Sequence, residues 1–137
     1  MSALILDSEA ISRLARRPSN VGTVHAALTA AQKAGWPVRV PAAVLAEQYR
    51  GGRHDQPIDS FLAKQARVVK VVDTDRALAR TVGNLLGKHG RGSADHVDAT
   101  VVATAIRLGG GIILTCDQGD VEALSEGLPG ITVEVLR

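Results

Sequence analysis

The chain has 137 residues, 45% hydrophobic and 2% aromatic, with 16 Lys and Arg against 14 Asp and Glu and a net charge of +2. That length suits one domain over residues 1–137 with a single core, and that apolar content excludes a largely disordered chain. So few aromatic rings exclude base stacking as the main binding mode, while the small positive charge neither demands nor forbids a polyanionic partner.

An apolar run from Ala3 to Leu6 reads as a buried strand and ends on Asp7. Ile11, Leu14 and Ala15 follow at helical spacing, and Val21, Val24, Leu28 and Ala31 mark a second helix. Val38 to Val40 is the next strand; the helix after it carries Glu47 at the edge of a face made by Leu45, Ala46 and Tyr49. Ile58, Phe61, Leu62 and Gln65 predict another helix, Val68 to Val72 a strand, and Leu78, Val82, Leu85 and Leu86 an amphipathic helix capped by Asp75. Asp98 heads a stripe of Val101, Val102, Ala105 and Leu108, and Gly109, Gly110 and Gly111 then supply a helix stop and tight turn. The strands Ile112 to Cys116 and Ile131 to Val135 complete the pattern. Strands separated by helices pair in parallel through crossovers, which predicts a three-layer α/β/α sandwich with a central, mostly parallel sheet of about five strands.

Several chemistries drop out. GNLLGKH fails as a phosphate-binding loop, because its glycines are too close and His89 follows Lys88. His25, His54, His89 and His96 show no ligand spacing, and no Ser-His-Asp or Cys-His arrangement is visible. Cys116 is the only cysteine and sits in an apolar run, where it is expected to be a buried structural thiol; the absence of a possible disulfide fits a reducing cytoplasm. No apolar run approaches the roughly 20 residues needed to span a bilayer and no basic leader precedes the first strand, so a soluble, cytoplasmic protein without membrane contact is expected. The basic residues Arg13, Arg16 and Arg17, Arg50 and Arg53, and Arg76, Arg80, Lys88 and Arg91 lie away from the acidic stretches, suggesting separate zones for acid and for phosphate contacts.

Four acids fall where a metal site would want them. Asp7 and Asp117 end strands, and open α/β sheets bind ligands outside the carboxyl ends of their strands. Asp98 is carried inward by its apolar stripe, and a buried carboxylate must be paired, hydrogen-bonded or metal-bound. Each has a structural alternative: helix capping for Asp7 and Asp117, a favourable place at a helix N-terminus for Asp98 with Ser93 as cap, and a surface pair with Arg50 for Glu47. Asp120 imitates the third residue of a capping box begun by Asp117. Hard cations such as Mg²⁺ and Mn²⁺ prefer carboxylate and water oxygens, and three or four acids at one rim would hold one.

The segments LILDSEAI, VPAAVLAEQYRGG, DHVDATVVATA and IILTCDQGDVEAL resemble, in order, the four acidic motifs of PIN-domain ribonucleases, and within them VapC-type toxins of bacterial toxin–antitoxin pairs. The resemblance covers nearly the whole chain. It implies a Mg²⁺- or Mn²⁺-dependent endoribonuclease with Asp7, Glu47, Asp98 and Asp117 as catalytic metal ligands, and Thr115 as a supporting hydroxyl. Asp95 and Asp120 are additional acids near that site, with supporting roles or none, and the resemblance implies an RNA substrate, tRNA or rRNA by family analogy. It implies also a cognate VapB-type antitoxin covering the site, and a homodimer.

Two departures stand out. Glu9 occupies a position where many family members have a small polar residue; it adds a ligand, repels phosphate or turns away along the helix. Cys116 lies between Thr115 and Asp117. Two other readings compete: a noncatalytic PIN-like module that binds RNA or a partner, and a receiver-like or phosphotransferase domain using Asp7. The latter lacks the D-x-D pair and the supporting lysine such domains use.

Overall fold

The computed structural model describes residues 2–16 and 22–136; Arg17 and Val21, named above, lie outside them. The elements run β1 (Ala3–Leu6), α1 (Ser8–Arg16), α2 (Thr23–Ala34), β2 (Val38–Pro41), α3 (Ala42–Gln48), α4 (Gln56–Lys64), β3 (Val69–Val72), α5 (Arg76–Lys88), α6 (His96–Arg107), β4 (Gly111–Thr115), α7 (Gln118–Ser125) and β5 (Ile131–Val135). All strand pairs are parallel, in the order β3-β2-β1-β4-β5. The helix contacts group α1 with α2 and α4 on one side of the sheet and α5, α6 and α7 on the other, as the usual right-handed crossovers would place them. The predicted three-layer sandwich is the observed architecture.

Burial follows position in the sheet. β1 is central and covered on both faces, so all four of its residues are apolar and buried. β5, at an edge, alternates between half-buried and exposed. α6 is buried continuously from Ala99 to Ala105; its two threonines satisfy their hydroxyls by donating to the His96 and Thr100 carbonyls, at 2.8 and 2.7 Å. Asp75 caps α5 as predicted, accepting the Leu78 amide at 2.8 Å.

The glycine triplet stops α6 as expected, with the Gly109 and Gly110 amides donating to the Ile106 and Ala105 carbonyls. Gly111 does more. It begins β4 at φ +149°, and a Cβ there would stand 2.0 Å from the Ala3 carbonyl oxygen. Only glycine lets β4 lie this close to β1, and that pairing matters for the site.

Candidate active site

The chain leaves β3 on one side of β1 and returns as β4 on the other, so the boundary between β1 and β4 is the topological switch point of the sheet, where the connections open a crevice. Register sets Leu6 against Leu114. Asp7, the residue after β1, donates its amide to the Leu114 carbonyl at 3.2 Å, and Asp117 stands two residues beyond β4. α3 starts directly after β2 and brings Glu47; α6 brings Asp98 in its first turn.

The four predicted acids line one depression of about 360 Å³ together with Glu9, Asp95 and Asp120. Those seven are half of the 14 acidic residues of a chain whose net charge is positive. Among the described residues, no Lys or Arg lines the depression. The tightest grouping is Asp95, Asp98 and Asp120, whose ligand oxygens lie within 4.8 Å of one another; it shares only Asp98 with the predicted quartet. Seven carboxylate side chains offer an all-oxygen donor set, the kind that suits Mg²⁺ or Mn²⁺ rather than a soft metal.

Each carboxylate is held differently. Asp7 caps α1, accepting the Ala10 amide at 2.9 Å, so the capping alternative is realised while the residue still faces the depression. Burial raises the Asp7 carboxyl above its ordinary range, against the lowering effect of bonds led by the Thr115 hydroxyl. Thr115 is fully buried; its oxygen accepts the Asp117 amide at 2.9 Å, which leaves the hydroxyl proton for Asp7. One side chain thus ties together the two acids that follow neighbouring strands.

Glu47 accepts the Ser8 hydroxyl. The predicted alternative, a pair with Arg50, does not form: that guanidinium donates to the Ala46 and Tyr49 carbonyls. Asp98 is raised to about 6, first by burial and then by the charges of Asp117, Asp120, Glu47 and Asp7. Ser93 does not cap α6; it starts a short 3-10 turn, Ser93–Asp95, ahead of the helix. Asp117 is raised by burial and by Asp120, whereas Asp120 is lowered, chiefly by its bond to Arg91.

Two sequence expectations are corrected and a third, left open, is resolved. Cys116 is exposed rather than buried, because β4 ends at Thr115 and the thiol falls on the turn, where Arg13 Nη2 donates to Sγ at 3.4 Å. Acid and base are not in separate zones: Arg91 pairs with Asp120 and Asp95. Glu9 lines the depression but turns along α1 to pair with Arg13 at 3.1 Å, one of the three outcomes open to it. Sequence reasoning also passed over Ser8 and set Arg91 apart from the acids it pairs with. Ser8 was visible as a hydroxyl beside a candidate ligand, but nothing local to GRGS announces where Arg91 points.

Comparison with known proteins places this geometry. The family model described as "PIN domain" matches residues 4–124. Among solved structures the chain is similar to VapBC2 from Rickettsia felis bound to a DNA fragment from its promoter, at 15% identity and TM-score 0.68 over 98% of this chain and 99% of that one. It is similar to DNA-bound VapBC from Salmonella typhimurium, at 16% identity and TM-score 0.65 over 98% of both chains. It also resembles VapBC-1 from nontypeable Haemophilus influenzae, at 14% identity and TM-score 0.59 over 97% of both. At such identities the likeness is one of fold. No curated protein matches in sequence.

Proposed function

The chain belongs to the PIN-domain family, and from that premise we propose that it is a divalent-metal-dependent endoribonuclease, the toxin half of a type II toxin–antitoxin pair. PIN domains are generally nucleases. The observation that carries the finer reading is the gathering of seven carboxylates at the switch point of the sheet, where Asp98 is paired with no Lys or Arg among the described residues.

Asp7, Glu47, Asp98 and Asp117 would hold Mg²⁺ or Mn²⁺, with Asp95 and Asp120 beside them. Held there, such an ion would lower the pKa of coordinated water and offset charge on the scissile phosphate. The rest is done by the chain. Thr115 orients Asp7 and Asp117 through one hydroxyl, and Ser8 orients Glu47 from the first residue of α1. Burial first, and then the neighbouring carboxylates, raise Asp98 to about 6, so above that pH the repulsion among the ionised acids favours uptake of a cation. The depression is open to solvent along Asp117 and Cys116, leaving room for a phosphodiester strand to approach. No helix among the described residues is long and apolar enough to cross a membrane.

The partner follows from the same premise. The similar structures are complexes titled VapBC, two of them on DNA, which supports a VapB-type antitoxin as a partner; masking of this acidic depression and a homodimer are what the family resemblance adds. tRNA or rRNA is the substrate class suggested by the family. The test is cleavage of total cellular RNA by antitoxin-free protein, with Mn²⁺ and with a chelator. Cleavage that needs the metal supports the reading. Binding of RNA without any metal-dependent cleavage would replace it with a noncatalytic binding module.

A further inference from the structure

We propose that Arg91 is an internal counter-ion of the acidic depression, seated between Asp95 and Asp120, and that loading the acid cluster with a divalent cation displaces it. The inference rests on the metal-dependent reading above. Arg91 Nη1 donates to Asp120 Oδ1 at 2.9 Å and lies 3.5 Å from Asp95 Oδ1. A single nitrogen therefore faces two of the three carboxylates whose oxygens gather within 4.8 Å. Those oxygens would otherwise repel one another, and the guanidinium lowers that repulsion.

The segment between α5 and α6 explains how one arginine can do this and still leave. The Arg91 amide donates to the Leu86 carbonyl at 2.8 Å, which anchors the backbone at the end of α5. The side chain remains 26% exposed, so it has a route into solvent that needs no movement of the sheet. A guanidinium is charged at every physiological pH. It and a divalent ion compete for the same lone pairs and repel each other at such a separation. The apparent affinity for the ion is then its intrinsic value reduced by the fraction of molecules in which Arg91 has withdrawn. Arg91 is thus a positioning residue that acts through Asp95 and Asp120.

The experiment is Mn²⁺ binding to the purified full-length protein, by calorimetry or by EPR of the free ion, in wild type, Arg91→Gln, Arg91→Lys and Arg107→Gln. Arg91→Gln is expected to bind about five- to tenfold more tightly, the lower part of the range for coupled sites. Arg91→Lys keeps the charge and should stay near wild type, and Arg107→Gln, whose partner Asp75 does not line the depression, should not change. Unchanged or weaker binding by a folded Arg91→Gln protein overturns the inference and leaves the nuclease reading standing, as does a loss confined to RNA affinity, which would make Arg91 a phosphate contact. Mn²⁺ binding by neither protein overturns the metal-dependent reading and the inference with it. If Arg91→Gln does not fold, wild type decides: the Arg91 Nε–H resonance, assigned by its loss in Arg91→Lys, must shift during a Mg²⁺ titration, and a resonance that stays in place overturns the proposal.

Discussion

Asp75 and Asp98 both stand at the start of a helix, and their helices, α5 and α6, pack on each other. Their carboxylates are nevertheless held in opposite states. Asp75 accepts the Leu78 amide and two bonds from Arg107, at 2.6 and 3.0 Å, and Arg107 with those amides lowers it to about 2. Asp98 has no Lys or Arg paired with it among the described residues and faces four other acids, and it is raised to about 6. α6 serves both ends: its last residue secures Asp75 while its first turn adds to the crowd of acids. An acid that helps hold the fold is given a cation and an amide; acids assembled at a site are set against each other, which lowers the stability of the protein until something positive arrives.

The largest expected effect of breaking this contrast is on catalysis. Asp98→Asn or Asp7→Asn should lower metal-dependent RNA cleavage by at least ~100-fold, the scale of losing one electrostatic contribution to a transition state, with far-UV circular dichroism unchanged. Equal initial rates in wild type and both variants would remove these acids from the reaction.

Next in size is the response to metal. Mn²⁺ at about 100 times its dissociation constant should add about 2.7 kcal/mol to stability at pH 7.5, read as a rise in the thermal midpoint. That gain should shrink below pH 6 as Asp98 takes up a proton. A gain independent of pH would show that the ion binds elsewhere.

Without metal the two acids should respond to pH in opposite directions. The folded value of Asp98 exceeds the ordinary 3.8, so its favourable contribution is complete below that pH and is lost as pH rises through about 6. Asp98→Asn should therefore stabilise the metal-free protein at pH 7 by about 1 kcal/mol, below the full equivalent of the shift because water screens a half-exposed group. Asp75 is the reverse: its contribution is present above 3.8 and is lost as pH falls through about 2. Asp75→Ala should lower the thermal midpoint at pH 7 by a few degrees without altering cleavage. Urea midpoints of both variants at pH 2.5, 4.5 and 7 check the signs; parallel pH profiles would erase the contrast.

The smallest effect is expected at Glu9. It is paired along α1 with Arg13, so Glu9→Gln should change stability by no more than ~0.5 kcal/mol and cleavage by less than about twofold, within the scatter of a surface substitution. A large change in Mn²⁺ affinity would make Glu9 a ligand after all.

Much of this was legible in one dimension. Alternation of short apolar runs with helical stripes placed all five strands to within a residue at each end, because strand and helix periodicities are local. β4 begins at Gly111 rather than Ile112 since that glycine already pairs with Ala3. Asp7, Asp98 and Asp117 were recognisable from strand ends and a stripe. Glu47 needed the family resemblance, because its helix face alone left a surface pair open. Cys116 was misplaced because an apolar neighbourhood in sequence does not say which residue is the last in the strand.

The chain's own pattern determined which residues form strands and helices, and that several acids fall where those elements begin or end. Only the tertiary structure decided that β1 lies beside β4, that Thr115 joins the aspartates beyond them, and that Arg91 crosses to Asp120, 29 residues away in sequence. The reason is physical. Periodicity reports which face of a segment is apolar, whereas strand order and side-chain partners depend on crossovers and close approaches between segments far apart in the chain, including the one that Gly111 permits.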